Sequence, residues 1–367
     1  MQNLGLFRFI KPYFYSGLFD DPVLYVQIRP TGKGLLFDCG QIHHLAKRVL
    51  RSVEAVFISH AHMDHLMGFD HLIRHIHVAP GRIAVFGPVG IAERIDHKLS
   101  GYDWNLAEQN WCSVDVYEIH ERDIKHVEFQ GAKSFQSNVG KKIRRIGQTI
   151  YETTHCTVQA ELCDHKIPSL IFRITERQAF LIDKQRLNAE HLQPGPWLKE
   201  LKKRFCTGDL EDSPIKVWKK SSEGFVIETV EDAAHLYQKI SRSMPPASIG
   251  YLSDVGMTNG NLRKFVQLFD GISLLISECT FFAEDRHKAR LSAHLCTQDL
   301  DEISKLLRPI WLLPMHLSKA YIGNSSQLYE ELNPPEATHV LMLPDYLTPR
   351  PLLTNELPNL IPKGNGL

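Results

Sequence analysis

Apolar positions in the first third of the chain fall in short runs broken by glycine and proline. Residues 24–28 and 35–38 are two such runs, separated by Pro30, Gly32 and Gly34, and they predict two strands joined by a turn. Helical spacing follows over 42–51, and 55–58 reads as a short buried strand. Over 67–77 the spacing predicts a helix with Leu66, Phe69, Leu72, Ile73 and Ile76 on one face. A strand at 83–86 ends in Gly87-Pro88, and a helix over 89–99 follows it. From 114 to 174 strands predominate, among them 149–153, 157–162 and 169–174. Residues 188–205 carry Pro194-Gly195-Pro196 and then a basic helical stretch, and the polar region 207–223 reads as a loop or arm.

Alternation then resumes: helix 230–241, strand 249–252, helix 260–269, strand 273–277, helix 297–305, strand 310–314. Strands and helices alternating in two β-rich halves predict an α/β fold of two stacked mixed sheets with helices outside, a four-layer αββα sandwich. The chain reads as a single domain over 1–347, with 188–224 a possible arm or insertion and 348–367 a Pro-rich tail along the surface. There is no internal repeat and no low-complexity tract.

Composition changes this picture little. Of 367 residues, 43% are hydrophobic and 23% charged, which suits a globular protein with a substantial core. No apolar run reaches the roughly 18 residues of a membrane span, and the start lacks a signal-peptide pattern, so a cytoplasmic protein is expected. Seven cysteines without a CxxC pair point to reduced thiols and away from a disulfide framework or thiolate zinc finger. Lys+Arg and Asp+Glu both total 42, so net charge gives no argument for nucleic acid. Local charge differs: Lys141, Lys142, Arg144 and Arg145 cluster, as do Lys199, Lys202, Lys203 and Arg204, and Arg286, Lys288 and Arg290. Any one cluster taken alone reads as a solvated helix face or loop.

The informative stretch is Ser59-His60-Ala61-His62-Met63-Asp64-His65, after an apolar strand and before a helix. In extended chain, side chains at i and i+2 point the same way, so His60 and His62 can grip one ion together. Asp64 and His65 sit where the chain has turned and can face a second. Imidazole and carboxylate suit Zn2+, with Mn2+ or Fe2+ as possible substitutes. A lone His-x-His would read as chance among 19 histidines; four ligand-type residues within six positions do not.

His-x-His-x-Asp-His resembles the signature of the metallo-β-lactamase superfamily, and the rest of the chain is similar to its ribonuclease Z branch, endonucleases that remove 3′ trailers from precursor tRNA. Phe37-Asp38-Cys39-Gly40, Phe86-Gly87-Pro88-Val89-Gly90-Ile91, His165-Lys166-Ile167-Pro168-Ser169, Tyr251-Leu252-Ser253-Asp254, Glu278-Cys279-Thr280-Phe281 with His294, and Met315-His316-Leu317-Ser318 match that branch in order, over roughly residues 24–321. The resemblance implies His60, His62 and His165 on one zinc, Asp64, His65 and His316 on the other, and Asp254 bridging them. His155 is the rival to His165, which Pro168 and the following strand favour.

A two-zinc site of this kind activates a shared water to a hydroxide and stabilises charge on phosphoryl oxygens. Asp64 is the candidate to orient that water or take its proton, and the resemblance places His294 to protonate the leaving oxygen. Glu278 would hold that imidazole in position or play a buried structural part. The arm around Lys199, Lys202, Lys203 and Arg204 lies where the branch grips tRNA, and the resemblance also implies a homodimer.

The sequence departs from the branch in three places. Its Gly-Asp-Thr reads Ser253-Asp254-Val255, its basic Lys-Gly-Arg element is replaced by Pro245-Pro246-Ala247-Ser248, and its His-Ser-Thr loop reads His294-Leu295-Cys296. These changes spare the metal ligands and bear on substrate. The expectation is a zinc-dependent phosphodiesterase, an endoribonuclease acting on precursor tRNA. The alternatives are a hydrolase of the same fold for a small phosphodiester, ester or thioester, and a binding protein with a dead metal site.

Overall fold

A computed structural model of the chain describes residues 6–349, apart from Asp212, Ser213, Glu223 and Ser243. The first sheet takes its strands in sequence order: β1 (Ile10–Phe14), β2 (Leu24–Ile28), β3 (Lys33–Phe37), β4 (Val53–Phe57), β5 (Arg82–Pro88), β6 (Ser113–Ile119), β7 (Asp123–Gln130) and β8 (Gln136–Arg144). Strands β3 to β6 run parallel, with antiparallel neighbours at either side. Parallel strands need crossover connections, which are supplied here by α1 (Lys47–Leu50), α2 (Met63–Leu66), α3 (Phe69–Ile76) and α4 (Ile91–Ser100).

Strands β9 (Thr149–Glu152), β10 (Cys156–Asp164) and β11 (Pro168–Glu176) come next. They are followed by α5 (Lys184–Ala189), β12 (Leu192–Gln193), α6 (Trp197–Thr207), β13 (Ile215–Ser221), β14 (Gly224–Val230) and α7 (Ala233–Ile240). The chain then runs through β15 (Ser248–Leu252), α8 (Asn259–Phe269), β16 (Leu274–Glu278), α9 (Arg286–Ser292), α10 (Thr297–Leu307), β17 (Trp311–Met315), α11 (Ser326–Glu331) and β18 (His339–Val340). The second sheet has the order β18-β17-β16-β15-β11-β10-β9, and β12-β13-β14 form a small antiparallel third.

The described residues gather into two compact units, one drawn from Lys11–Gln148, Gln159–Arg173 and the segment from Ile249 on, the other from the segment up to Ile10, Thr149–Val158 and Ile174–Ser248. In the larger unit the two-residue period of each strand decides which layer its side chains enter. Leu36, Val56 and Val85 pack outward under the helices with Leu72, Ile73 and Ile95. The alternate residues Phe37, Phe57 and Phe86 stack on one another at 4.7 and 5.0 Å between ring centroids. That ladder meets the second sheet: Phe172 lies 5.6 Å from Phe37 and 5.8 Å from Phe57, and Tyr251 6.0 Å from Phe37. On the far face of the second sheet, Leu252, Leu275 and Leu312 pack with Phe265, Leu300 and Ile303 of the helices. Helix, sheet, sheet, helix is the layer order expected from the alternation in the sequence.

The smaller unit has its own core of Leu187, Trp197, Leu201, Val217, Leu236 and Ile240. Here two readings of the sequence are corrected. The polar region from Thr207, read as a loop or arm, contains β13, whose Ile215 and Val217 are buried while Lys216 between them is exposed. The helix expected over 42–51 is confined to Lys47–Leu50, because Ile42 and Leu45 are buried and His44 Nε2 is tied to the Tyr15 carbonyl at 3.0 Å, holding the preceding turn out of helical geometry. The Pro-rich tail lies, from Arg350 on, outside the described residues.

Candidate metal centre

The larger unit brings functional side chains to the carboxyl ends of its parallel strands, the edge at which open α/β sheets commonly place ligands. Asp38 directly follows β3, Ser59 and His60 follow the apolar run that ends β4, Ser253 and Asp254 follow β15, Glu278 is the last residue of β16, and His316 follows β17. His165 sits in the turn between β10 and β11, and His294 between α9 and α10. Backbone strain collects here: Asp38 (φ 54), Lys166 (φ 61), Ala293 (φ 58) and His316 (φ 60) are all left-handed without being glycine. Such residues persist where the surroundings over-determine them, as at ligand sites.

Two groups of ligand-type atoms share one residue. His60, His62, His165 and Asp254 form the first, Asp64, His65, His316 and Asp254 the second, each with its donor atoms within 4.8 Å of one another. Ring centroids in the first lie 4.4 Å (His60–His62), 5.0 Å (His60–His165) and 5.2 Å (His62–His165) apart. Asp254 Oδ2 stands 3.3 Å from His65 Nε2, 3.6 Å from His316 Nε2 and 3.8 Å from His60 Nε2. Asp64 Oδ2 is 3.2 Å from His316 Nε2. His155, the rival to His165, belongs to the smaller unit, where its Nδ1 meets Thr154 Oγ1 at 2.8 Å.

The donor chemistry fits divalent cations. His60 Nε2, His65 Nε2 and Asp254 Oδ1 are buried with no hydrogen-bond partner among the described residues, in a protein interior where an unmatched polar group costs about 1–3 kcal/mol. Burial, reinforced by His65, pushes His60 down to about 2, so this imidazole is neutral with its lone pair available. Burial also lowers His65, but Asp254 and Asp38 outweigh it and hold the ring well above its ordinary value. Burial raises Asp254 and Asp64, and the surrounding histidines reverse this and keep both carboxyls below the usual range. The cage therefore favours positive charge at its centre.

The second layer of contacts turns the rings. His65 Nδ1 donates to Asp38 Oδ2 at 2.8 Å, and His165 Nδ1 to the Ala293 carbonyl at 2.7 Å, which directs Nε2 of each toward the site. Asp38 also accepts from Ser59 N (2.7 Å), Ser59 Oγ (2.9 Å), Tyr251 OH (2.9 Å) and Ser253 Oγ (3.1 Å). Sequence reasoning noted Asp38 and Tyr251 only as parts of matched motifs. It missed that they converge on one carboxylate, a junction of residues up to 215 positions apart for which no local pattern exists.

A third group joins Asp254 to Glu278 and His294. His294 Nδ1 lies 3.1 Å from Glu278 Oε2, and Thr280 Oγ1 donates to the same oxygen at 2.7 Å. Val255 N and Leu295 N donate to the two Glu278 oxygens at 2.9 and 3.2 Å, so the carboxylate is fixed. Burial pulls His294 down, but the Glu278 charge overrides it and holds the imidazole at about 9. The four basic residues of the expected arm lie in the other unit on α6. Lys199, Lys202 and Lys203 are exposed there, while Arg204 is engaged with Glu200 Oε1 at 2.9 Å and the Pro214 carbonyl at 3.0 Å.

Comparison with known proteins agrees with this architecture. The Beta-lactamase superfamily domain matches residues 35–154. Ribonuclease Z of Deinococcus radiodurans is 28% identical over 79% of this chain and 85% of its own. Ribonuclease Z of Anoxybacillus flavithermus is 28% identical over 83% of each. The crystal structure of the short form of human tRNase Z superposes with a TM-score of 0.50 at 17% identity, covering 92% of this chain and 96% of that one, a likeness of fold. The Beta-lactamase superfamily match over residues 35–154, the ribonuclease Z relatives and the ligand groups that share Asp254 support a metal-dependent hydrolase. Over about four fifths of its length the chain is similar to ribonuclease Z.

Proposed function

We propose that this protein is a zinc-dependent endoribonuclease that cleaves the 3′ trailer of precursor tRNA. The observation that carries the reading is the sharing of Asp254 between two ligand groups, with buried, unmatched Nε2 and Oδ1 atoms facing the junction. In this reading His60, His62 and His165 hold one zinc, Asp64, His65 and His316 the other, and Asp254 serves both. When bound, the two cations supply an activated water and positive charge for the phosphoryl oxygens. Asp64, whose side chain is 38% exposed, is the group that orients the attacking water or takes up its proton. His294 is the acid for the leaving oxygen: Glu278 engages its Nδ1, so Nε2 is the atom free to donate. Glu278 is the positioning residue for that imidazole.

Lys199, Lys202, Lys203 and Arg204 of the 188–224 arm are the residues that hold RNA phosphates. The protein works in the cytoplasm as a homodimer. No helix among the described residues is long and apolar enough to cross a membrane. Ser253 and Val255, where the branch has Gly and Thr, together with the missing Lys-Gly-Arg element, favour a second reading in which the substrate is a small phosphodiester or ester.

Metal analysis and a substrate panel decide between the two. Purified protein is expected to hold close to two zinc ions per chain, and Asp254→Ala to lose at least one. The loaded enzyme is expected to cut precursor tRNA. No cut, alongside brisk turnover of a small ester, would establish the second reading, and retention of both ions by Asp254→Ala would move the bridge elsewhere.

A further inference from the structure

His316 follows β17 in open chain, and its left-handed φ of 60° has to be held by its surroundings. Two hydrogen bonds brace the backbone just beyond it. Ser318 N donates to the Thr280 carbonyl and Leu317 N to the Leu18 carbonyl, each at 3.0 Å. Thr280 belongs to the centre already described, beside Glu278. Leu18 does not: it lies in loop 16–21, between β1 and β2, which carries no candidate ligand.

The same loop reaches a second ligand segment. A Cβ on Gly40 would collide with the Asp64 carbonyl and with Asp21 Cβ, so only the width of a glycine separates the loop from the Asp64 backbone. Lys319 Nζ, on the chain beyond His316, lies 3.7 Å from Asp21 Oδ1. Loop 16–21 thus bears on His316 and Asp64, both of the second ligand group. Among the described residues it makes no hydrogen bond or ion pair with His60, His62 or His165 of the first.

The loop is locked in turn by residues 344–348. Leu18 N donates to the Pro344 carbonyl at 2.8 Å and Phe19 N to the Asp345 carbonyl at 3.0 Å, and the Phe19 and Tyr346 rings lie 5.7 Å apart. Asp20 fastens the end of this segment. Its Oδ2 accepts from Gly17 N at 2.8 Å, Leu347 N at 2.6 Å and Thr348 N at 3.0 Å, and its Oδ1 accepts from Thr348 Oγ1. The carboxylate is buried and matched by N–H and O–H donors, with no ion pair among the described residues. Burial raises Asp20, but these donors outweigh burial and hold it below the usual carboxylate range. Three of its four bonds span more than 320 positions of chain, so they serve the placement of 344–348 and not a local turn.

We propose that Asp20 is a positioning residue for the metal centre: it clamps residues 344–348 over loop 16–21, and the clamped loop fixes His316 and Asp64 around the second ion. The inference rests on the two-ion reading given above. The path runs from Thr348 and Leu347 to Asp20, from Leu18 to Leu317, and from Asp21 past Gly40 to Asp64. None of these contacts reaches His60, His62 or His165, so the two ions respond differently to the clamp. Released, it weakens the hold on the second ion and leaves the first with its ligands in place.

Stepwise removal of zinc from the full-length protein by a competing chelator tests this. Asp20→Asn turns one acceptor into a donor, and Thr348→Val removes the hydroxyl from the other end of the clamp. Asp20→Asn is expected to raise the Kd of one zinc about tenfold, the lower end of the range for groups that touch a ligand directly. Thr348→Val should raise the same Kd several-fold, and the double variant should fall short of the sum, because both changes break one clamp. The other zinc should keep its wild-type Kd. In a His62→Ala background, which weakens the first ion, the remaining ion should still show the loss; in a His316→Ala background it should not. Fewer than two ions in wild type overturns the two-ion reading and this inference with it. Two ions in wild type, with neither Kd changed in natively folded Asp20→Asn and Thr348→Val, overturns the clamp alone. Equal weakening of both ions marks a general loosening of the fold and overturns it as well.

Discussion

Asp38 is a buried carboxylate whose two oxygens are taken by Ser59, Tyr251, Ser253 and His65, so it acts on the candidate centre through His65. Asp38→Asn preserves the shape and removes the charge that favours a donating Nδ1 on His65. Second-layer partners of this kind typically account for about 10–100-fold in metal affinity. Competition with a chelator should show a loss of that order for Asp38→Asn, with a native circular dichroism spectrum; undiminished affinity would mean that His65 is not held through Asp38. His294 offers a pH test. Burial alone would leave it deprotonated, and the Glu278 carboxylate raises it to about 9, so an acid role is available below that pH and is lost as pH rises through it. Glu278→Gln removes the raising charge and leaves burial. The alkaline limb of precursor tRNA cleavage should then shift to lower pH, whereas hydrolysis of a nitrophenyl phosphodiester, whose leaving group needs no proton, should keep its profile. A limb that stays in place in the variant rules out His294 as the acid.

Between residue and fold stand the joints that aim the site. The helix read from the sequence over 67–77 is α3 in the structure, and a separate short helix, α2, precedes it, joined to it through Met67 and Gly68. Gly68 has an ordinary φ of −72°, so its need for glycine is one of space. A Cβ there would collide with the Gly40 carbonyl and come within 2.9 Å of the Cys39 carbonyl and 2.8 Å of Ile42. Backbone cannot move aside as a flexible side chain can. Gly68→Ala is therefore expected to cost about 1–3 kcal/mol of unfolding free energy by overpacking. Because Asp64 and His65 lie on α2, it should also lower zinc occupancy in parallel. A variant with wild-type stability and full zinc would show that this joint is slack. The same close approach explains why helical periodicity over 42–51 yielded only the short α1: the preceding turn is held by contacts to Tyr15 and by buried Ile42 and Leu45.

Over the whole molecule the candidate chemistry and the candidate RNA grip are carried by different units, His60 to His316 in one and α6 in the other. Net charge is zero, so any hold on a polyanion has to come from a local face. Replacing Lys199, Lys202, Lys203 and Arg204 with Ala should weaken binding of precursor tRNA and flatten its salt dependence. Each side chain that no longer neutralises a phosphate takes about 0.7–0.9 off the slope of log K against log salt. Zinc content and turnover of a small phosphodiester should be nearly unchanged. An unaltered salt slope would show that α6 does not touch the RNA.

Much of this protein is written locally. The alternation of apolar residues announced the layers, because a two-residue period leaves each strand only two faces to fill, and His60-x-His62-x-Asp64-His65 announced a metal site, because four ligand-type residues at one strand end need no distant partner to be recognised. The distant candidate ligands could be placed only by likeness of motif. That Asp254 lies within 4 Å of His60, His65, His294 and His316, or that Tyr251 and Ser253 share Asp38 with His65, follows from which strands are neighbours across some two hundred residues of chain. The strand β13 in the polar region was likewise decided by packing. Local sequence sets what a segment can become; which segments meet depends on the burial of apolar surface contributed by the entire chain.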